Sequence, residues 1–473
     1  MSRSVPGARL AVCVDLGSTF TKALLVDLVE GGVVATADAP TTLPGPDGSG
    51  DLLDGYDDCL TALRAAHPPL AAAEAAGDVV VHACSSAGGG LRIAVLGNEA
   101  LVTAEAGRRV ALSSGGKVVA VHALADDGAD LAATLATAPD VVLLTGGTDG
   151  GNPEPLPAAA RALVAAGWRG PVVVAGNVAV RDEVAAVLAG AGTPYELSAN
   201  VVPRIGVLDP AGARAAVRAL FLSHVIGGKH LSRRPELPGM LRGATPDVVL
   251  AGVEVLAATV GDVAVVDVGG ATTDVYSVVD GDPDVSREVV GTPRESRTVE
   301  GDLGMRWSAA STVAALAADA TDGGAPSPAL VAAAARRTAE PGFVPQDAAD
   351  VADDLAIATA ALTTAVRRHA GRAKVVVDAG GRVVERTGTD LREVRLLVGS
   401  GGVLRHASPQ AATEVLAACV TGPDGDPGGW QLPRAPRLVV DTTYVLAAAG
   451  LLHTTHPEAA SRLVAGLAGG AAR

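Results

Sequence analysis

The chain has 473 residues, of which 48% are apolar, enough to fill more than one core and to exclude a single small module. With 37 Lys and Arg against 52 Asp and Glu, its formal charge is -15, so nothing draws it generally to phosphodiester backbones or anionic lipid, and neither nucleic acid nor membrane is an expected partner. Aromatic residues are only 2%, which leaves Val, Leu and Ala to build the cores.

In chain order, Leu10–Leu16 reads as a buried strand, Gly17 and Ser18 as a turn, Lys22–Leu28 as a second strand and Val33–Ala35 as the start of a third. A loop over 40–55 precedes an Ala- and Leu-rich helix over 56–76. Strands at Asp78–Val81, Lys117–Val121, Asp140–Leu144 and Pro171–Ala175 alternate with helices at Leu124–Ala136, Leu156–Ala166 and Arg181–Ala189, which predicts an α/β fold. Ile205–Val225 reads as one helix and Gly227–Pro235 as a basic loop. A helix over 247–258 and a strand at Asp262–Val268 follow, then a glycine turn and a strand at Asp274–Val279, repeating the opening pattern. After a Gly- and Pro-rich loop at 323–328 come a helix near 350–369, a strand at Glu393–Val398, and Ser408-Pro409 as cap and first residue of a helix over 410–420. A strand at 437–440 and a segment over 443–452 close the pattern.

Three glycine-bearing turns carry the chemistry. In Asp15-Leu-Gly-Ser-Thr-Phe-Thr-Lys22, the amides of Gly17, Ser18 and Thr19, the hydroxyls of Thr19 and Thr21, and the Lys22 ammonium can receive phosphate oxygens. Asp15 would repel phosphate directly, so its useful role is to hold Mg2+ through water. Taken alone, a glycine hairpin with a capping Asp explains the same residues. Asp267-Val-Gly-Gly-Ala-Thr-Thr-Asp274 supplies the chemistry again through Gly269, Gly270, Ala271, Thr272 and Thr273, with Asp267 as a second carboxylate for Mg2+ and an attacking water. The joint occurrence argues for nucleotide phosphate. In the third turn, Gly399-Ser400-Gly401-Gly402, the missing side chains admit a ribose or purine, or a close strand-helix turn. No P-loop and no G-x-G-x-x-G opening is present.

These turns, DLGSTFTK, DVGGATTD and LLVGSGGVLRH, resemble the two phosphate motifs and the adenosine motif of the actin, sugar kinase and Hsp70 ATPase superfamily. More narrowly, LLTGGTDGGN (143–152), VVVAGNVAVRD (172–182), NVVPRIGVLD (200–209), EGDLGMR (300–306) and VVDTTYVLAAAGLL (439–452) resemble the glutamate mutase associated MutL/GlmL family, distinct from the mismatch repair protein also called MutL. The resemblance implies a duplicated ribonuclease H-like fold of actin/Hsp70 type with a nucleotide cleft between two lobes. It places one lobe with an inserted α/β segment over 9–245, a second over 246–455, and a flexible tail over 456–473. It also implies ATP or ADP with Mg2+ as cofactors, and a chaperone or reactivating role toward an adenosylcobalamin-dependent carbon-skeleton mutase as partner. Because neither motif names a committed base, weak ATP hydrolysis is expected, with Asp15 and Asp267 as the catalytic carboxylates.

Other features have plainer readings. Thr148, Asp149, Glu300 and Asp302 are candidate switch or cleft residues, or simply a turn and a helix start. His224-Val-Ile-Gly227 has H-x-x-G spacing, but Leu222 stands where a cobalamin-ligating loop has Asp, so no direct cobalamin ligand is expected. Ser85–Gly90 lacks G-x-S-x-G and a placed His and Asp. Cys13, Cys59, Cys84 and Cys419 are far apart, without C-x-x-C, which points to a reducing compartment. With no export signal and no run of about 18 apolar residues, a cytoplasmic location is expected. The alternatives are a small-molecule kinase of the same superfamily, with Asp149 or Asp302 accepting a hydroxyl proton, and a nucleotide-gated scaffold without turnover.

Overall fold

A computed structural model describes residues 8–45, 47, 49–87, 91–124, 131–225, 230–280, 293–319, 325–378, 381–386 and 388–469. The glycines at 88–90, residues 226–229 of the basic loop and H-x-x-G motif, the side chain of His224, and residues 323–324 lie outside the described residues.

The chain divides into two compact units. The first runs up to Gly252 and takes in Ala447–Leu463. Its apolar run Leu10–Leu16 (β1) turns back as Phe20–Asp27 (β2), antiparallel, and Gly32–Pro40 (β3) continues the meander. Helices Asp54–Ala66 and Pro69–Ala76 stand where one helix is predicted; Pro68 and Pro69 break it because proline lacks the N–H that would continue the ladder. Val79–Ser85 (β4) then lies parallel to β1.

A second, all-parallel sheet follows: Leu91–Gly97 (β5), Gly116–Ala123 (β6), Val141–Leu144 (β7), Val172–Val174 (β8) and Tyr195–Leu197 (β9), in the order β6-β5-β7-β8-β9. Its period-2 alternation feeds two cores. Ile93, Val95, Val141 and Leu143 join the core of the first sheet, while Ala94, Leu96, Val142 and Leu144 pack on the other face with Leu156, Leu163 and Leu188. The predicted helix Ile205–Val225 is shorter: Arg204 bridges Val207 in a tight turn with Gly206 at φ 79°, and the helix begins only after Pro210, at Ala211. Leu241–Ala244 (β10) returns to pair with β4, completing the order β10-β4-β1-β2-β3.

The second unit comprises Val253–Asp280, Arg294–Leu446 and the stretch from Val464. Val263–Val268 (β11), Thr273–Val278 (β12) and Glu295–Glu300 (β13) form an antiparallel meander. Ala373–Asp378 (β14) and Gly381–Arg386 (β15) make a separate hairpin. Leu396–Ser400 (β16) and Arg437–Val440 (β17) extend the main sheet in parallel, giving β13-β12-β11-β16-β17. Each unit therefore contains the same sheet, an antiparallel meander whose first strand carries two parallel neighbours on its other side. Helix Ala348–Ala370 buries Ile357, Ala361, Leu362, Ala365 and Val366 against the main sheet of the second unit. The expected flexible tail instead contains helix Pro457–Ala465, whose Ala459, Ala460, Leu463 and Val464 are buried; apolar residues at helical spacing give it a face to pack.

Candidate functional site

The β1–β2 connection must reverse the chain in three residues. The Gly17 N–H donates to the Phe20 carbonyl at 3.2 Å, and a Cβ on Gly17 would lie 2.5 Å from that oxygen, so only glycine fits. Thr41 holds the turn from β3's end: its hydroxyl donates to the Gly17 carbonyl and its N–H to the Thr19 carbonyl, each at 2.9 Å. The carbonyls are thereby engaged inside the protein. The N–H groups of Ser18 and Thr19, both exposed, find no acceptor among the described residues. A turn with the Gly17 and Thr19 carbonyls tied and the Ser18 and Thr19 amides open can cradle an anion.

The β11–β12 turn repeats this construction with different residues. Gly269 N–H donates to the Thr272 carbonyl at 2.9 Å. The carbonyls of Gly269 and Gly270 accept from the N–H groups of Met305 and Arg306 at 3.0 and 2.7 Å, and that of Ala271 accepts from the Ser308 hydroxyl at 2.7 Å. Gly304 lets this segment approach, since a Cβ there would meet the Ala271 carbonyl carbon at 2.6 Å. The N–H groups of Gly270, Ala271 and Thr272 again find no acceptor among the described residues. The motif over 300–306 is thus what holds the second loop in shape. Thr21 and Thr273 occupy equivalent register positions, opposite Leu16 and Val268, and both are fully buried. Thr21 bonds the Thr41 hydroxyl at 3.1 Å and Thr273 donates to the Leu303 carbonyl at 3.0 Å, so these hydroxyls frame the loops from within the core.

Asp15 and Asp267 stand at equivalent strand ends, half-buried, but their cross-strand neighbours differ: Lys22 opposite Asp15, Asp274 opposite Asp267. Asp15 Oδ1 accepts the Thr245 hydroxyl at 2.6 Å and faces the Cys84 thiol at 3.6 Å. Burial and then the Asp15 charge push that thiol far above its ordinary range, so it stays protonated. Asp274 is paired with Arg297 at 2.6 Å. Among the described residues no group of three or more His, Cys, Asp and Glu is arranged for a metal ion. Each loop has one half-buried carboxylate, a donor of the hard oxygen type that Mg2+ accepts when water completes its shell.

The third turn lies beside the second loop, with Ser400 opposite Asp267 in the β11/β16 register. Gly399 is required by packing, since a Cβ would meet Leu404 Cδ1 at 2.6 Å. Gly401, at φ 112°, would bring a Cβ to 2.3 Å from the Val268 carbonyl. Gly402 is exposed with nothing near its missing side chain and opens the short helix Gly402–His406. Three neighbouring residues were not singled out as site residues from sequence. Asp441, whose N–H donates to the Gly399 carbonyl at 2.9 Å, is buried and caps helix Val445–Leu452; burial raises its carboxyl above the ordinary range against the backbone N–H bonds that lower it. Tyr444 holds φ 58°, and the Arg405 guanidinium lies 5.1 Å from its ring centre. A non-glycine residue in the left-handed region was the feature that composition could not signal.

The remaining candidates are brought together in pairs. Arg368 bonds both Glu300, at 2.7 Å, and Asp302, at 2.8 Å. Burial pushes the Glu300 carboxyl up despite Arg368, whereas at Asp302 the opposing burial is outweighed by the Arg368 hydrogen bond and charge, which hold it low. Asp149 lies in the first unit, after β7, where it accepts from Asn200 Nδ2 at 2.9 Å and from the Val178 N–H at 3.2 Å. Thr148 closes the same loop by accepting the Gly151 N–H at 3.0 Å. Ser85 is buried against the end of β1, its hydroxyl 3.3 Å from the Leu16 carbonyl.

The family profile described as "MutL protein" matches residues 11–466. A relative named "Protein MutL" from Clostridium tetanomorphum is 34% identical over 475 aligned residues, covering 95% of this chain and 97% of that one. The chain belongs to the MutL protein family. Among solved structures, the chain is similar to a nucleotide-free acetone carboxylase, at 17% identity and TM-score 0.31, over 63% of its length. It spans about half, 48%, of that carboxylase chain. It is also similar to an ATP-dependent caprolactamase from Pseudomonas jessenii (16% identity, TM-score 0.38, 93% of this chain and 70% of that one). A ligand-bound xylulose kinase from Lactobacillus acidophilus gives 10% identity and TM-score 0.34 over 96% and 91%. Among the described residues no helix is long and apolar enough to cross a membrane.

Proposed function

We propose that this chain binds ATP with Mg2+, hydrolyses it slowly, and uses the cycle to reactivate an adenosylcobalamin-dependent carbon-skeleton mutase of the glutamate mutase type. The observation that carries the nucleotide part is the pair of hairpin turns whose carbonyls are engaged by the protein and whose amides are left open.

Bound Mg2+ would neutralise phosphate charge and favour attack at phosphorus. Ser18 and Thr19 in one loop, and Gly270, Ala271 and Thr272 in the other, donate N–H groups to phosphate oxygens. Lys22 adds a positive charge at the first loop. Asp15 and Asp267 would hold the Mg2+ through water, and Asp267 would orient the attacking water. Gly402 leaves room for ribose or adenine at the end of β16. The partner is inferred from the motif resemblance: exchange of damaged cofactor on a mutase needs conformational work, which a nucleotide-dependent change can supply.

The test is recovery of a cofactor-damaged glutamate-type mutase. With the chain, Mg-ATP and fresh adenosylcobalamin together, mutase activity should return; omission of ATP should prevent it. Equal recovery without the chain, or none with every component, would contradict the reading.

A further inference from the structure

We propose that Thr245 is a positioning residue for Asp15, fixing which carboxylate oxygen the first phosphate loop offers to metal-bound water. The inference rests on the reading of Asp15 as the metal-organising carboxylate.

Thr245 follows β10 directly and is the first residue of helix Thr245–Val260. Its Oγ1 donates to Asp15 Oδ1 at 2.6 Å, across 230 positions of chain. That length is characteristic of a hydroxyl bonded to an ionised carboxylate. The Cys84 thiol, on β4 opposite Asp15, faces the same oxygen at 3.6 Å. Both donors fall on Oδ1, while among the described residues Oδ2 takes none. A carboxylate with one oxygen engaged from two sides no longer rotates to exchange its oxygens, so Oδ2 keeps one direction.

The hydroxyl is itself held independently of Asp15. Pro246 fixes the backbone dihedral immediately after it. Asp247, 2% exposed, anchors the helix start through Arg218 at 2.6 Å and Arg214 at 3.8 Å. Removing the Thr245 hydroxyl therefore leaves the helix docked and takes away the restraint on Asp15 together with a hydrogen bond to the Cys84 thiol.

The test uses the full chain and follows ADP binding calorimetrically as Mg2+ is titrated, with melting temperature measured separately without nucleotide. Thr245→Val, which keeps shape and loses the hydroxyl, should raise the Mg2+ concentration for half-maximal ADP binding about tenfold or more. Thr245→Ser should restore it, and the melting temperatures of the three proteins should stay close. A Thr245→Val midpoint equal to wild type, or equal impairment in the Val and Ser variants, overturns the proposal and leaves the nucleotide reading standing. Wild-type ADP binding that is absent, or indifferent to Mg2+, overturns both.

Discussion

Asp274, directly across the hairpin from Asp267, is paired at 2.6 Å with the buried guanidinium of Arg297. The first hairpin has Lys22 at the corresponding position. The second loop thus places a carboxylate where the first has an ammonium, and its charge is answered from β13 within the same unit. Asp274→Ala leaves a guanidinium that is 3% exposed without this partner, and should destabilise the protein by about 3–5 kcal/mol. Denaturant unfolding of D274A beside D274A/R297M checks this: the double variant should recover part of the loss. An unchanged midpoint in D274A would remove the pair from any role in holding the second loop.

Gly401 and Gly402 separate packing from binding. Gly401→Ala forces a side chain into the left-handed region and against the Val268 carbonyl, at a cost of about 2 kcal/mol or more. Gly402→Ala meets nothing within 4 Å, so stability should change by less than about 0.5 kcal/mol while ADP affinity falls. Thermal melts with ADP titrations distinguish the two, and unaltered affinity in Gly402→Ala would dissociate this turn from adenosine contact.

Trp307 is 64% exposed between Arg306 and Ser308, both of which bond the β11–β12 loop. Nucleotide binding at that loop should change its fluorescence. Trp307→Phe should abolish the change although Trp168 and Trp430 remain; persistence of the signal in that variant would assign it elsewhere.

The two glycine hairpins were legible because a buried apolar strand, a short glycine turn and a second apolar strand leave the chain few other conformations. Their supports were not. Thr41, Ser308 and Thr245 reach the loops across 24, 37 and 230 positions, separations that no local pattern encodes. Strand β13, Glu-Ser-Arg-Thr-Val-Glu, is polar because its charged residues pair with partners such as Asp274 and Arg368, so it lacks the apolar alternation that marks a strand. Helices Ala309–Asp319 and Pro328–Ala339 were missed because alanine fits core and surface alike and blurs the helical period. The third turn was found, but Gly399 and Gly401 are explained by strand and helix packing, a distinction that needs coordinates.

His82 and His369 are buried as neutral imidazoles, each pushed down to about 4 from the ordinary 6.5. Burial is the main cause for both, joined at His82 by the nearby Arg242 and His456. The unfolded chain takes up these protons as pH falls through 6.5, and the folded chain only near 4. Stability contributed by keeping them neutral is therefore complete above pH 6.5 and declines between 6.5 and 4, by up to about 3 kcal/mol per histidine. Urea unfolding across this range should show the decline, and His369→Gln should flatten it; identical slopes would place the pH dependence on other groups.

As proposed above, the paired loops bind and hydrolyse nucleotide in the service of a mutase. Phosphate release from Mg-ATP by the purified chain, alone, with a candidate adenosylcobalamin mutase, and as Asp267→Ala, tests it most directly. The expected result is slow release that the mutase accelerates and D267A abolishes. No release under any condition, or release equal in D267A, would contradict it.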